Sequence, residues 1–217
     1  MKPHEGGPIM LAGASLDTAR GAAIMVHGRG ASPANILDLV PAIDRPDIAY
    51  LAPGAAGGTW YPNSFMAERE RNEPGISSGL GVIGSLVEML GSRGFASRQI
   101  LLLGFSQGAC LTSEFAMRHP RRYAGVMVLS GGLIGPPGTT WDQVSGDLEG
   151  TLVFLGCSDV DPHIPADRVL ESEAVFRRLG ADVTRVLYPG MPHLVNDDEI
   201  GRVQKAIDAI MPRVASA

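Results

Sequence analysis

The sequence predicts an α/β fold in one domain, residues 1–217, with a mainly parallel sheet covered by helices on both faces. Three observations predict it. Short runs that are apolar throughout, not alternating, recur along the chain, as in strands buried on both sides. Segments with apolar residues at spacings of three and four lie between them. Small or polar residues close the runs. At 217 residues and 45% hydrophobic content the chain has enough apolar side chains for one sizeable core.

Taken in order, Ile9–Ala12 reads as an additional strand at the sheet edge. Ala22–Val26 is a buried strand ending in His27-Gly28. Ser32-Pro33 supplies a cap and a first-turn proline for a helix through Asn35–Val40. Ile48–Ala52 is the next strand, ending in Pro53-Gly54. A helix starts near Ser77-Ser78, with Leu80, Val82, Ile83, Leu86, Val87 and Leu90 on one face. Strand Ile100–Gly104 leads to a helix Gln107–Arg118, stopped by His119-Pro120. Strands Gly125–Leu129 and Leu152–Leu155 follow, then a helix Pro165–Leu179 stopped by Gly180, a last strand Val183–Leu187, and a closing helix Asp197–Met211 with Ile200, Val203, Ile207 and Ile210 on one side. Strand-helix alternation of this kind implies a parallel sheet, whose sites lie beyond the carboxyl ends of the strands.

Composition narrows the function. A net charge of −5 and a pI near 5.5 argue against a nucleic-acid partner. The N-terminus, Met1–Pro8, shows no apolar signal-peptide core, and no stretch approaches the ~18 apolar residues of a membrane span. Cys110 and Cys157 have neither the number nor the spacing of a disulfide scaffold or a zinc site, and read as reduced thiols of a cytoplasmic protein. No metal-ligand spacing is present. Gly79-Leu80-Gly81-Val82-Ile83-Gly84 fits G-x-G-x-x-G, but it lies inside a helical pattern with no strand before it; a dinucleotide site needs the strand-turn-helix context. Small residues there read as close helix packing.

The chemistry gathers elsewhere. Gly104-Phe105-Ser106-Gln107-Gly108 is a G-x-S-x-G pentapeptide between an apolar run and a helix start. A nucleophilic serine held on such a turn has a strained backbone, and its flanking segments come too close for Cβ atoms at Gly104 and Gly108. With 28 glycines a chance match is plausible, but few would fall in this context. Serine needs a base, and the base an orienting acid. Of five histidines, His193 follows the last strand, where hydrolases with an elbow serine carry their base. His119 reads as a helix cap, His4 as part of a frayed terminus, His163 as a bystander and His27 as a structural residue of its loop. The acid comes from Asp159 or Asp161 after strand Leu152–Leu155. Asp161 is preferred because it immediately precedes the turn into the next helix, and Asp159 would brace the loop. Two N–H groups would receive an oxyanion, those of Gln107 and of Arg29 in the Gly-rich loop after the Ala22–Val26 strand. The Arg29 side chain reads as solvated or facing an anionic substrate group. Residues 53–75 and 130–150 are long irregular stretches of the kind that carry function. Trp60, Phe65, Leu133 and Met191 are the candidate substrate-binding residues; Trp60 reads equally as a loop anchor, and Trp141 as packing.

Together, His27-Gly28-Arg29-Gly30, Gly104–Ala109, Asp161-Pro162-His163-Ile164-Pro165 and Gly190-Met191-Pro192-His193 resemble the phospholipase/carboxylesterase family, which includes acyl-protein thioesterases and small bacterial carboxylesterases. The resemblance spans roughly residues 20–212. It implies a compact α/β-hydrolase fold with little or no lid and cofactor-free cleavage of esters or thioesters. It also favours Asp161, which matches the family's D-P-x-V-P run with Ile164 at the Val position. Arg29 and the Trp60-Tyr61-Pro62 loop depart from the thioesterase pattern, which points to a small-ester hydrolase. The expected partner is a small-molecule ester, with a homodimer left open. A lysophospholipase or thioesterase, and a non-catalytic binding protein on the same scaffold, are the alternative readings.

Overall fold

In the computed structural model, which describes residues 2–213, seven strands form one sheet. They are β1 (Ile9–Gly13), β2 (Gly21–Val26), β3 (Ile48–Pro53), β4 (Ile100–Phe105), β5 (Gly125–Leu129), β6 (Leu152–Ser158) and β7 (Asp182–Tyr188). Their spatial order is β1-β3-β2-β4-β5-β6-β7, with β1 antiparallel to β3 and the other neighbours parallel. The apolar runs all became strands, and β1 occupies the expected edge.

Six helices cover the faces: α1 (Pro33–Leu37), α2 (Val40–Ile43), α3 (Gly75–Ser92), α4 (Gln107–Arg118), α5 (Ala166–Arg178) and α6 (Asp197–Ile210). The expected helix Asn35–Val40 is two short ones. Pro41, with no N–H to donate, cannot continue α1, so the chain turns at Asp38-Leu39 and restarts. The Ile210 side chain, Met1 and residues 214–217 lie outside the described ones.

Side chains alternate along each strand between two cores. Ala22, Ile24 and Val26 join the core under α3, α4 and α5, whereas Ala23 and Met25 join the one under α1, α2 and α6. Helix α3 corrects one expectation. Its 18 residues, with a mean hydropathy of 1.2, are long and apolar enough to cross a membrane, and half of them are buried against the body. Gly79 explains part of that closeness: a Cβ there would lie 2.6 Å from Leu111 Cδ2 on α4. The G-x-G-x-x-G run is thus helix, as its position implied. Both cysteines are free and buried.

The strand order places the site. The chain passes from β2 outward to β3 and then crosses back to β4 on the other side of β2. The loops after β2 and β4 therefore flank a crevice at the carboxyl ends of the strands, the ligand-binding position of open α/β sheets.

Candidate active site

Ser106 stands between β4 and α4 with φ 54° and ψ −120°, a left-handed conformation that is strained for any residue with a Cβ. The surroundings hold it there. Its N–H donates to the Leu129 carbonyl at 2.9 Å. A Cβ on Gly104 would stand 2.4 Å from the Gly108 carbonyl oxygen, and one on Gly108 would stand 2.1 Å from that of Val26. The two glycines therefore let β2, β4 and α4 close around the turn.

The serine hydroxyl donates to His193 Nε2 at 2.9 Å, and His193 Nδ1–H donates to Asp161 Oδ2 at 2.6 Å. The Asp161 side chain is buried, in the turn that follows β6. Its Oδ1 accepts the N–H groups of His163 (2.8 Å) and Ile164 (3.1 Å). Burial alone would raise the pKa of this carboxyl; the bonds from the His193 ring and the two N–H groups outweigh it and hold the group below the usual carboxylate range. The anion therefore persists under the imidazole and fixes its tautomer. Asp159 takes a different partner: its Oδ1 accepts the Gly190 N–H at 2.8 Å and so braces the loop that carries His193. The ring of Phe105 lies tilted against His193 and that of His163 stands edge-on to it, each 5.0 Å away between centroids.

The two expected oxyanion donors flank the serine. A Cβ on Gly28 would lie 3.3 Å from Ser106 Cβ, so the β2 loop presses on the nucleophile. Neither the Arg29 nor the Gln107 N–H donates a hydrogen bond among the described residues. The Arg29 side chain is exposed at the cavity rim, in keeping with the solvated reading, and its guanidinium also donates to the carbonyls of Pro62 (2.9 Å) and Asn63 (2.6 Å), which clamps their loop. The His27 ring is structural: Nδ1–H donates to the Gly28 carbonyl and Nε2 accepts the Ala55 N–H. Burial lowers its pKa, in keeping with the neutral ring this pairing requires.

Ser106 and His193 open into a cavity of about 490 Å³, walled by Arg29, Tyr61, Phe65, Phe105, His163 and Ile164 among others. Of the four predicted wall residues, Phe65 alone lies on it. Trp60 is fully buried behind the wall, its indole N–H donating to the His27 carbonyl at 2.9 Å and its ring packed against His27 and His4. A large aromatic with one donor is well satisfied there. Leu133 is fully buried under α5, where its N–H meets Ser172 Oγ and its carbonyl meets Arg168. Met191 is tied back by Asn196, whose Nδ2 donates to the Met191 sulfur, and lies off the cavity. His4, expected in a frayed end, is buried, with Nε2–H on the Trp60 carbonyl and Nδ1 accepting from Ala56.

Sequence reasoning missed several neighbours of the site. Phe105 and Cys110 were readable as the residue before the serine and the one a helical turn after it. His163 reads from sequence as a bystander, and Tyr61 only as part of the loop that departs from the thioesterase pattern, yet both line the cavity.

A strand-to-helix elbow serine joined to an imidazole and a carboxylate, on this sheet order, defines an enzyme of the α/β-hydrolase class. The sequence profile described as Phospholipase/Carboxylesterase matches residues 13–211, and the chain belongs to that family, whose members hydrolyse carboxylic esters. A phospholipase/carboxylesterase from Dyadobacter fermentans is 38% identical and superposes with a TM-score of 0.90 over 95% of this chain and 98% of its own. The acyl-protein thioesterase 1 of Debaryomyces hansenii is 24% identical, covering 95% of this chain and 98% of that protein. The Bacillus cereus carboxylesterase shares the fold, with a TM-score of 0.74 and 17% identity over 95% of this chain and 96% of its own.

Proposed function

We propose that the protein is a serine carboxylesterase for short- to medium-chain carboxylic esters, working through an acyl-enzyme on Ser106. One observation carries the reading: the unbroken hydrogen-bond chain from Ser106 Oγ through the His193 ring to Asp161, with steps of 2.9 and 2.6 Å.

As Ser106 Oγ attacks the ester carbonyl, its proton passes to His193 Nε2. The carbonyl oxygen becomes an oxyanion and receives the Gln107 and Arg29 N–H groups, Gln107 at the N-terminal end of α4 where the helix dipole adds to the donor. Asp161 stabilises the imidazolium without taking its proton. His193 then gives the proton to the leaving alkoxide, and the carbon–oxygen bond breaks. Water repeats the sequence on the acyl-enzyme and releases the acid. No further group is needed for this chemistry.

The acyl-length range rests on the loop across the cavity. Arg29 and Gln107 tie residues 60–63 down, and Tyr61 and Phe65 present aromatic walls close to the serine. A second reading, thioester cleavage, is favoured by the likeness to the Debaryomyces hansenii thioesterase. Rates across matched esters and thioesters from acetyl to palmitoyl separate the two. A short-ester optimum supports the first reading, and a long thioester optimum replaces it with the second. Ser106→Ala must lose turnover by roughly a million-fold; hydrolysis by that variant at the wild-type rate would end both.

A further inference from the structure

The wall of the cavity that holds Ser106 and His193 carries no negative charge. The chain has 23 Asp and Glu against 18 Lys and Arg, yet none of those acids lines this cavity. Its titratable side chains are Arg29, Tyr61, Cys110, His163 and His193. Burial pushes the Cys110 thiol up to about 12 and raises the Tyr61 phenol well above its ordinary value, so both stay neutral. Asp161 stands behind His193 with its side chain fully buried, and its charge is met by the His193 ring and the N–H groups of His163 and Ile164. What remains is the guanidinium of Arg29, a permanent cation.

That cation is both open and fixed. Arg29 is exposed at the rim of the cavity. No carboxylate among the described residues pairs with it, whereas Arg45, Arg69 and Arg168 each have one. A guanidinium has five N–H donors. The carbonyls of Pro62 and Asn63 take one each, at 2.9 and 2.6 Å, and the others are left for a ligand. Those two bonds hold the long side chain against the loop across the cavity, so less of its freedom is lost when an anion binds. The guanidinium carbon lies 6.0 Å from the centre of the Tyr61 ring, which is itself part of the wall. A concave site of one sign concentrates ligands of the other.

We infer that Arg29 is a specificity residue whose guanidinium receives a carboxylate that the substrate carries in addition to its ester. The preferred substrates are then small esters with a carboxylate on the acyl or the alcohol side, not uncharged alkyl esters. A planar carboxylate accepts two N–H groups of a guanidinium at once, and a neutral group in its place forgoes the charge-assisted bonds. The inference rests on the esterase reading above and narrows its substrate class.

Two matched pairs test it: monomethyl adipate against methyl 6-amino-6-oxohexanoate, and 4-acetoxybutanoate against 4-acetoxybutanamide. Within each pair a carboxylate far from the ester is exchanged for its neutral carboxamide isostere. Values of kcat/KM are read by pH-stat at neutral pH. In at least one pair the wild type should favour the carboxylate by roughly fivefold. The preference should shrink in about 1 M salt, because an exposed ion pair is screened. Arg29→Gln keeps the main-chain N–H and removes the charge. It should bring the ratio to about one, with the melting temperature as a check on folding. An arginine that only clamps its loop would, once replaced, slow both members of a pair alike and leave the ratio as it was. The inference is overturned if a wild type active on p-nitrophenyl butanoate shows no preference for the carboxylate in either pair. It is also overturned if the preference survives undiminished in Arg29→Gln or in high salt. A wild type inactive on p-nitrophenyl butanoate itself overturns the esterase reading instead, so the two failures are distinct.

Discussion

Asp159 accepts the Gly190 N–H at 2.8 Å, while Asp161, two residues on, accepts the His193 ring at 2.6 Å. One carboxylate thus positions the loop and the other orients the imidazole. Asp161→Asn should lower kcat by about 10⁴-fold, because the amide favours the wrong imidazole tautomer. Asp159→Ala should cost only about ten- to a hundredfold, through displacement of His193. Both are read from kcat and KM on p-nitrophenyl butanoate. Equal losses would mean that Asp159 shares the role assigned to Asp161.

Ser106 predicts a trade of stability against activity. Its backbone, φ 54° and ψ −120°, is one that glycine adopts without strain. Ser106→Gly should therefore abolish turnover and raise stability by about 1 kcal/mol, or about 2–4 °C in melting temperature for a chain of this size. Ser106→Ala keeps the Cβ and the strain and should melt with the wild type. Calorimetry in which Gly melts below Ala would show that the turn stores no strain.

The glycines divide into those the elbow requires and those it does not. Gly108→Ala puts a Cβ 2.1 Å from the Val26 carbonyl oxygen and should destabilise by more than about 2 kcal/mol. Gly81→Ala, on α3 with nothing within 4 Å of the new atom, should stabilise by about 0.5–1 kcal/mol. Urea unfolding of the pair should shift the midpoint in opposite directions.

Glu199 sets a pH dependence away from the triad. It sits in the first turn of α6, fully buried, with Oε2 accepting the Asn196 N–H while Oε1 has no partner among the described residues. Burial raises its pKa from 4.5 to about 7. The native state therefore holds this proton more tightly than the unfolded chain, and stability falls as pH rises from 4.5 towards 7. Glu199→Gln keeps the capping acceptor and stays neutral. The unfolding free energy of the wild type should fall relative to this variant by about 3 kcal/mol between pH 4.5 and 8. Parallel curves would show that Glu199 binds its proton no more tightly in the native protein than in the unfolded chain.

Much of this site was legible because its chemistry is local in sequence. The elbow, the Asp161 turn and the His193 loop each follow a strand whose apolar run is visible, and parallel strands bring their carboxyl ends to one rim. What was illegible depends on distant partners. His4 is buried because its N–H donates to Ser78 Oγ and its ring to Trp60, contacts that span 74 and 56 residues. Trp60 lies behind the wall because His27, His4 and α3 enclose it, and no local pattern distinguishes that from lining a pocket. Arg168 is buried with three carbonyls, those of Leu133, Gly135 and Pro136, as partners. Those bonds pull the 133–136 loop inward and take Leu133 with it. No local charge pattern distinguishes this arginine from the ones that face solvent.

Gln107 joins two parts of the molecule that could otherwise vary separately. Its main chain begins the helix beside the nucleophile, and its side chain fastens the segment that shapes the substrate wall. Replacing it perturbs turnover and selectivity at once. A change of preferred substrate that leaves the reaction intact must therefore be sought further along the same segment, at Asn63, Ser64 and Phe65, which border the opening without holding up the elbow.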